Sequence, residues 1–445
     1  MFEYIHLKNF KSFSDVNLDF TDRHGNPKKM ILIYGENGIG KSNLASAFFM
    51  LAETMRTMDV RDLMQSILSN RPEGINEEAF FRAFKMRYKD LQTLISENKM
   101  VASDDPLLID IGFRINGKAG KYLIEMDDHQ LIHERLEYTL AKNRGPYYDI
   151  YMDNKTISAR VFKDKSAYSE VKHACDMFWG KHSLLSILLH ESEDKSSSFI
   201  RNQLTDNFLD VLDFLARVSC KVKFGSSQER GGILLPREIF RDFERGSVLL
   251  KDEPLLERTE RMLNLFFRDT SRDIVRMYYK REVQEHNVKY VLMEEKLIAG
   301  KEREIEFSLE STGTQFLLQL LPYMLVAVDG SVSVIDEFDT GAHDLRVQQL
   351  IQSLYKSLTG QLIITTHNTL LMESSIPKEC IYVINELSDG SKEIKPITFY
   401  DPKIHENTNI RNQYLKGVYR GIPNSHAMDF AALLSTLLEV PKDRL

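Results

Sequence analysis

Apolar and polar residues alternate over the first twenty positions as expected for a two-stranded antiparallel hairpin. Val16, Leu18 and Phe20 are separated by single polar residues, and a polar turn-forming stretch lies before them. Residues Met30–Tyr34 are instead apolar without interruption, which is typical of a strand buried on both faces. We therefore predict a hairpin over Phe2–Phe20 followed by a buried strand.

The middle of the chain changes its hydrophobic period several times. Apolar residues after Met50 recur at helical spacing as far as Ile67, and the turn-forming run Arg71–Gly74 then interrupts the pattern. The predicted strands are Leu107–Ile115, Tyr122–Met126, Leu131–Leu140, Tyr148–Met152, Val288–Met293 and Glu304–Leu309. Helices are predicted within Ser166–Lys223 and Pro254–Arg281, with a polar loop over Gly225–Gly232 between them. Asn116-Gly117 and Asp389-Gly390 favour tight hairpin turns.

Composition is that of an ordinary globular protein from a reducing compartment. The 445 residues are 42% hydrophobic and 28% charged, and the three cysteines are scattered without metal-binding spacing. The first residues lack the pattern of a secretory signal. The longest apolar stretch, Phe316–Val328, is shorter than the roughly 20 residues that cross a bilayer. We expect a cytoplasmic protein without a membrane segment, and the net charge of −7 argues against generic wrapping of nucleic acid.

The strongest chemical motif directly follows the apolar strand. The sequence I-L-I-Y-G-E-N-G-I-G-K-S over Ile31–Ser42 fits the P-loop pattern G-x-x-x-x-G-K-[ST]. Its glycines let the backbone turn tightly and bring N–H groups to a polyphosphate, and the following helix presents its N-terminus to the same anion. Lys41 is predicted to reach the β- and γ-phosphates, and the Ser42 hydroxyl to ligate Mg²⁺. The predicted ATP-binding residues of this segment are Gly35, Glu36, Asn37, Gly38, Ile39, Gly40, Lys41, Ser42 and Asn43.

The second motif is a Walker B strand, a buried strand that ends in two carboxylates. Ser331–Ile335 is the predicted strand, and Asp336 and Glu337 follow it directly. In phosphoryl-transfer enzymes one such carboxylate supports Mg²⁺ and the other is positioned for the attacking water. We therefore predict that Asp336 joins Ser42 as a magnesium ligand and that Glu337 is catalytic.

The order of the motifs resembles that of ABC-type ATPases. The E-S-T-G-T-Q stretch over Glu310–Gln315 is similar to their signature motif, and Phe338–His343 to their D-loop. His367, which follows the apolar strand Gln361–Thr365, is similar to their switch histidine. The resemblance implies an α/β fold, an ABC-type P-loop head with an N-terminal antiparallel β element, ATP and Mg²⁺ as ligands, and a catalytic role for His367.

The resemblance also implies an ATP site shared between subunits. Ser311 and Gly313 of the signature are expected to complete the site of a partner subunit, which requires a homo-oligomer. The signature has S-T-G-T-Q where S-G-G-Q is usual, and the sequence offers no clear Q-loop glutamine. His190 and Gln203 are the candidates in that neighbourhood, and a structural role is favoured for both.

Further segments narrow the resemblance to the RloA-like group of prokaryotic ABC-type ATPases, AAA-domain family fifteen. They are Asn9–Phe13, the P-loop, the signature, the I-I-T-T-H-N stretch and Arg411–Pro423. Members of this group, which is related to SMC, RecF and OLD heads, commonly serve as ATPase subunits of phage-defence systems such as the PARIS type. The resemblance implies a regulatory or sensor ATPase that controls a separate effector, such as a TOPRIM nuclease. A DNA-repair or DNA-maintenance ATPase of the RecF/SMC kind is the alternative, and a transporter ATPase is a poorer third interpretation.

The motifs lie towards both ends of the chain, which suggests a division into domains. Residues 1–60 and 304–424 are predicted to form the head, 61–303 an insertion, and 425–445 a helical tail. The insertion is predicted to have a β part over about 106–160 and a helical part over about 166–281. Within the helical part, Arg258–Arg281 has a net charge of +4 and interleaved aromatic residues. This pattern is compatible with a nucleic-acid surface and, more simply, with a solvated helix face.

Overall fold

A computed structural model describes residues 1–69, 88–194, 202–224, 228–232, 242–270, 273–341, 343–405, 408–422 and 428–438. The predicted break at Arg71–Gly74, position 342 of the D-loop and the end of Arg411–Pro423 lie outside these residues.

The helices are α1 (Lys41–Thr54), α2 (Thr57–Ser69), α3 (Leu91–Asn98), α4 (Lys165–Phe178), α5 (Leu184–Asp194), α6 (Asp206–Ala216), α7 (Pro254–Thr270), α8 (Thr312–Val328), α9 (Asp344–Ser357), α10 (Ile397–Tyr400), α11 (Ile410–Leu415) and α12 (Phe430–Leu438). The strands are β1 (Phe2–Phe10), β2 (Phe13–Asp19), β3 (Met30–Tyr34), β4 (Leu107–Ile115), β5 (Lys118–Met126), β6 (Leu131–Thr139), β7 (Arg144–Tyr151), β8 (Lys155–Ile157), β9 (Ser219–Phe224), β10 (Gln228–Gly232), β11 (Arg245–Leu249), β12 (Ile274–Val283), β13 (Asn287–Ile298), β14 (Lys301–Glu306), β15 (Val332–Ile335), β16 (Gln361–Thr365), β17 (Ile381–Glu386) and β18 (Lys392–Pro396).

The first sheet is antiparallel and has the strand order β2-β1-β4-β5-β6-β7-β8. Leu7 of β1 lies opposite Val16 of β2 on one side and opposite Ile109 of β4 on the other, so the predicted N-terminal hairpin is confirmed. In β2 the apolar residues are buried and the polar ones exposed, as expected for a sheet with one face on the core. Asn116 and Gly117 have positive φ angles of 49° and 75°, which confirms the predicted tight turn between β4 and β5.

The second sheet contains the P-loop strand and has the order β10-β9-β15-β16-β3-β17-β18. The five inner strands, from β9 to β17, run parallel, whereas the edge strands β10 and β18 pair antiparallel with their neighbours. Every residue of β3, β15 and β16 is buried, which explains why apolar residues predominate in these strands. Because the carboxyl ends of parallel strands meet at one edge of a sheet, the segments after β3, β9, β15 and β16 converge there.

The third sheet is smaller, with the order β11-β13-β12 and with β14 paired to β13. Leu263 and Phe267 of α7 belong to the same apolar cluster as Tyr279 of β12 and Leu292 of β13, so the helix covers one face of this sheet. Near the other end of the chain, α12 lies within the predicted helical tail. Among the described residues, no helix combines the length and the apolar character needed to cross a bilayer.

Several predictions for the insertion are wrong. β9 and β12 are strands where the periodicity predicts helices, because their β-branched and aromatic residues favour a sheet once neighbouring strands are available. The predicted loop over Gly225–Gly232 is wrong in its second half, since Gln228–Gly232 pairs with β9, and residues 225–227 lie outside the described chain. The strand predicted over Glu304–Leu309 ends at Glu306, where a short 3₁₀ turn begins.

Both large sheets cross the predicted domain boundaries. β4 to β8 of the insertion extend the sheet that the N-terminal hairpin begins, and β9 of the insertion lies beside β15 in the sheet of the head. The division into head and insertion stays a prediction. In both large sheets, strands of the predicted insertion are hydrogen-bonded directly to strands of the predicted head.

A buried glutamine joins the first two sheets. The Gln361 side chain at the start of β16 accepts a hydrogen bond from Phe2 N at 2.8 Å and donates to Phe2 O at 3.0 Å and to Lys28 O at 2.9 Å. All three partners are backbone groups that burial would otherwise leave unpaired. The first strand of the chain is therefore tied to the strand that leads to His367.

A buried carboxylate joins the first sheet to the helices behind it. Glu134 of β6 is fully buried and accepts hydrogen bonds at both oxygens. Oε1 accepts from the hydroxyls of Tyr122 and Tyr148 at 3.0 Å each, and Oε2 from Trp179 Nε1 and Leu184 N at 2.8 Å each. Burial raises the pKa of Glu134, and these donors offset part of the rise. Since Leu184 begins α5, this carboxylate fixes the start of that helix against the sheet.

Candidate nucleotide-binding site

The P-loop forms a tight turn between β3 and α1. Gly38 and Gly40 have φ angles of 79° and 122°, which favour glycine, and a Cβ at Gly40 would lie 3.0 Å from the Phe13 ring. The Ile39 side chain is buried, whereas Asn37 is exposed at the tip of the loop. The backbone therefore has the tight turn over the N-terminus of α1 that a polyphosphate requires.

Lys41 is held across this loop. Its ammonium group donates to the carbonyls of Gly35 at 2.8 Å and of Glu36 at 2.7 Å, and the residue is only 6% exposed. Burial lowers the pKa of Lys41 to about 8, although Asp336 and Glu337 oppose this change. The lysine thus lies within electrostatic reach of Asp336 and Glu337, the Walker B carboxylates.

Asp336 follows β15, and its two carboxylate oxygens have different surroundings. Thr365 Oγ1 donates to its Oδ1, whereas Oδ2 is buried without a hydrogen-bond partner of good geometry in the described chain. Burial raises the pKa of Asp336, and the neighbouring hydroxyls of Thr365 and Ser42 offset part of the rise. A buried acceptor beside a serine hydroxyl supplies the oxygen ligands that Mg²⁺ prefers, so the residues present fit this ion.

Glu337 is fixed by its backbone and by two side chains. Its φ angle is 50°, an uncommon value for a non-glycine residue, and its N–H donates to Thr365 Oγ1 at 2.9 Å. Its Oε2 accepts from Lys223 Nζ at 2.8 Å and from Thr340 Oγ1 at 3.3 Å. Burial alone raises the pKa of Glu337, but Lys223 and Thr340 outweigh it, so that this pKa is lowered. The carboxylate is therefore ionised at neutral pH.

His367 lies in the same cluster. Its backbone N–H donates to Asp339 Oδ2 at 3.1 Å, which connects the loop after β16 to the loop after β15. Burial and the charge of Lys41 lower the pKa of His367, against the opposing effect of Asp339 and Glu337. The imidazole is accordingly neutral at pH 7, and it lies within electrostatic reach of Lys41 and both Walker B carboxylates.

The signature residues occupy a different environment. Ser311 is exposed and is the N-cap of α8, with its Oγ accepting from Thr314 N at 3.2 Å. Within the described chain, the hydrogen bonds of Ser311 fall on residues 310–315. Glu310 pairs with Lys296 of β13, which ties the start of α8 to the third sheet. The structure therefore leaves Ser311 and Gly313 outside the Lys41 cluster and at a solvent-facing helix N-terminus.

Three groups near the P-loop were missing from the predicted site. Lys11 Nζ in the turn between β1 and β2 donates to Ser46 Oγ at 3.0 Å, and Ser12 Oγ accepts from Asn43 Nδ2 at 2.8 Å. Asp339 holds the backbone of His367. The positive φ angle of 48° at Lys11 is typical of a tight turn. The contact of this turn with α1 could not be predicted from sequence, because it depends on tertiary packing.

The two Q-loop candidates have structural contacts. His190 bridges Asp59 at 3.2 Å and Asp62 at 2.9 Å, which joins α5 to α2. The carbonyl of Gln203 accepts a hydrogen bond from Lys163 N. In the second sheet, β15 lies between β9 and β16. On the β9 side, the segment nearest Asp336 and Glu337 is therefore the end of β9.

The basic segment over Arg258–Arg281 is divided between a helix and a strand. Arg281 of β12 pairs with Glu260 at 2.9 Å and with Glu253 at 3.4 Å, so part of its positive charge is neutralised within the third sheet and α7. Arg258, Arg261 and Arg268 lie on the exposed side of α7. This arrangement favours a solvated helix face over a continuous nucleic-acid surface.

A parallel sheet with a P-loop after one strand and a carboxylate pair after another defines the class of P-loop ATPases. The chain belongs to the AAA ATPase domain family, whose model matches residues 1–372. This is AAA-domain family fifteen, so the family predicted from the motifs is confirmed, as is the α/β P-loop head with its antiparallel N-terminal element. The established class is therefore an ATPase of this family.

Solved structures with similarity to the chain include two SMC heads and a recombination mediator protein. An SMC head domain from Thermotoga maritima is 15% identical with a TM-score of 0.35, and the match covers 89% of this chain and 98% of that one. An Smc head from Pyrococcus furiosus, bound to the C-terminal domain of ScpA, is 16% identical with a TM-score of 0.35, over 88% and 95%. The recombination mediator protein RecF is 13% identical with a TM-score of 0.36, over 89% and 98%. No curated protein matches the sequence.

Proposed function

We propose that this chain hydrolyses ATP at the edge of the second sheet. The observation that carries the proposal is the convergence of Lys41, Asp336, Glu337 and His367, which influence one another's pKa values. Lys41 would exchange its two carbonyl partners for β- and γ-phosphate oxygens. Glu337 would accept a proton from the attacking water, and neutral His367 would orient the γ-phosphate.

The proposed site accommodates Mg²⁺ at its buried end. Asp336 and the Ser42 hydroxyl would hold the ion, because the carboxylate of Asp336 is buried beside that hydroxyl and both supply oxygen ligands. When bound, Mg²⁺ neutralises charge on the phosphate oxygens. Thr365 keeps one oxygen of Asp336 in place through its hydroxyl. The chain's contribution is thus to position the nucleotide and to hold a base beside its terminal phosphate.

A partner subunit would complete the site. Ser311 is exposed at the N-terminus of the 17-residue helix α8, and the N–H groups of such a terminus attract anions. In the proposed homo-oligomer, Ser311 and Gly313 of one subunit meet the γ-phosphate held by Lys41 of the other. Sharing the site in this way links ATP binding to closure of the subunits.

Two substitutions test the ATPase assignment. Lys41→Ala removes a charge-assisted contact to phosphate worth about 1.5–3 kcal/mol, which weakens ATP affinity roughly 10- to 150-fold. Glu337→Gln should retain Mg²⁺-dependent ATP binding, but its single-turnover hydrolysis should fall at least about 100-fold, the usual contribution of a general base. Binding is measured by titration with a fluorescent ATP analogue, and hydrolysis by phosphate release.

Lys289→Ala on the exposed face of the third sheet is the matched control for charge removal and should behave as wild type. Unchanged ATP affinity in a folded Lys41→Ala protein would refute the P-loop assignment. Hydrolysis at the wild-type rate by Glu337→Gln would remove Glu337 from the role of base.

The shared site is tested by a variant of the signature. Ser311→Arg places bulk and charge at the start of α8 and should abolish hydrolysis while leaving ATP binding by one subunit nearly intact. Mixing it with Lys41→Ala produces pairs in which one of the two sites carries neither defect, so part of the activity should return. Full hydrolysis by Ser311→Arg alone would contradict the shared site.

For the biological role, we infer a regulatory ATPase of a prokaryotic phage-defence system that controls a separate effector such as a TOPRIM nuclease. The support is the family membership together with the motifs of the N-terminal turn and of Arg411–Pro423. A host that carries the gene with its genomic neighbours should resist phage, and Lys41→Ala should abolish resistance. Equal plating of phage on both strains, with sensitivity to DNA damage on deletion, would favour the DNA-maintenance alternative instead.

A further inference from the structure

Lys223 extends from the insertion to the catalytic edge of the second sheet. β9 runs parallel to β15, with Cys220 beside Val334 and Lys221 beside Ile335. Asp336 N donates to Lys221 O at 2.8 Å, so the pairing continues to the end of the strand. Lys223 therefore lies beside the residues that follow β15, and its ammonium group is 2.8 Å from Glu337 Oε2.

The contact occupies a specific oxygen of Glu337. Lys223 and Thr340 both donate to Oε2, and the backbone N–H of Glu337 is held by Thr365. The backbone of Glu337 is at φ 50°, so the restraint acts on a side chain whose main chain is already fixed. The two donors hold Oε2 towards Lys223 and Thr340, so this oxygen is already occupied and must leave them before it can accept a proton from water.

The groups around Glu337 come from several elements. Lys223 approaches from β9, Asp336 from the end of β15, His367 from the loop after β16, and Lys41 from α1. Lys223 makes the ion pair with Glu337 at 2.8 Å, whereas His367 is a neutral neighbour of the same carboxylate. Lys41 donates to the P-loop carbonyls. The lysine of β9 is thus the cation best placed to control this carboxylate.

We propose that Lys223 is a positioning residue that restrains Glu337 and thereby keeps ATP hydrolysis slow. Because Lys223 belongs to β9, the insertion supplies the cation that holds the base. The proposal rests on the proposed function, in which Glu337 accepts a proton from the attacking water. In this proposal a residue of the insertion directly slows the hydrolysis of ATP.

Single-turnover hydrolysis by the purified full-length chain tests the restraint. Side chains of the pair are 36% and 31% exposed, so solvent weakens the interaction and a moderate effect is expected. Lys223→Met should hydrolyse about three- to tenfold faster than wild type, with KM for ATP within about twofold. Lys223→Arg keeps the charge and should restore the wild-type rate, and Lys289→Met controls for the loss of a lysine.

Rescue by the conservative variant provides a readout that a purely structural role would not change. Lys223→Met and Lys223→Arg both replace the lysine, but only Lys223→Arg keeps a cation that can donate to Glu337 Oε2, so only Lys223→Met should be faster than wild type. The melting temperature of each variant confirms that it is folded, and Lys223→Gln serves as a second variant.

The possible outcomes separate the two proposals. If Glu337→Gln is inactive in both the wild-type and the Lys223→Met background, and Lys223→Met is faster than wild type, the restraint is supported. If Glu337→Gln is inactive and Lys223→Met is no faster than wild type, the restraint is overturned while the proposed function stands. If Glu337→Gln hydrolyses ATP at the wild-type rate, both are overturned.

Discussion

The buried carboxylate of Glu134 allows a quantitative prediction about stability. Glu134→Leu removes both acceptors and leaves Trp179 Nε1 and Leu184 N without partners in a fully buried place. An unpaired buried donor costs about 1–3 kcal/mol, so these two N–H groups alone lower the free energy of unfolding by about 2–6 kcal/mol. The hydroxyls of Tyr122 and Tyr148 add to this cost unless they rotate to other partners.

Glu134→Gln should be much milder. Its amide oxygen can serve Trp179 and Leu184, and its NH₂ group can donate to the tyrosine hydroxyls, which accept as well as donate. The remaining loss comes from the poorer fit of the amide to these four partners, so we expect a decrease of about 1 kcal/mol. Urea unfolding followed by fluorescence measures both variants directly, because Trp179 is the one tryptophan of the sequence.

The pH dependence has a definite sign. The pKa of Glu134 is raised by burial in the folded chain, so its stabilising contribution is complete below the ordinary pKa of a glutamate and declines as pH rises through the folded value. The deficit of Glu134→Gln relative to wild type should therefore shrink from acidic to neutral pH. Equal destabilisation by the two substitutions, or a deficit that grows with pH, would refute this account.

Three further substitutions have direct expectations. Thr365→Val should weaken Mg²⁺-dependent ATP binding and slow hydrolysis, whereas Thr365→Ser keeps the hydroxyl and should retain most activity; equal ATPase rates in both variants would contradict its role. Gly40→Ala should abolish nucleotide binding in a titration, because the φ angle of 122° and the contact at 3.0 Å with the Phe13 ring are both unfavourable for a side chain. Gln361→Leu leaves the backbone N–H of Phe2 buried and unpaired and should lower the free energy of unfolding by about 1–3 kcal/mol, measured in urea.

The P-loop and the Walker B pair could be predicted from sequence because their geometry is local. Glycines at fixed spacing determine the turn before Lys41, and an apolar run followed by Asp336 and Glu337 determines a buried strand with carboxylates at its end. The alternation in β2 likewise determined which residues face the core.

Contacts between distant segments could not be predicted in the same way. β9 follows a helical run and becomes a strand because β15 offers it a partner more than a hundred residues away. The bond from Lys223 to Glu337 and the bond from Thr365 to Asp336 have no signal in residue spacing, since each depends on which strands are neighbours. The role of Asp339 was missed for the same reason.

The hydroxyl of Thr365 has a consequence for how this site can change over evolution. It donates its hydrogen to Asp336 Oδ1 and accepts from the N–H of Glu337, so one atom at the end of β16 adjusts both carboxylates. A mutation that displaces this strand end would disturb both the proposed metal ligand Asp336 and the proposed base Glu337. Selection could therefore not readily change one of these two functions without the other. Divergence in hydrolysis rate among relatives of this chain should therefore be sought at Lys223 and Thr340, whose side chains donate to Glu337, before it is sought at Thr365.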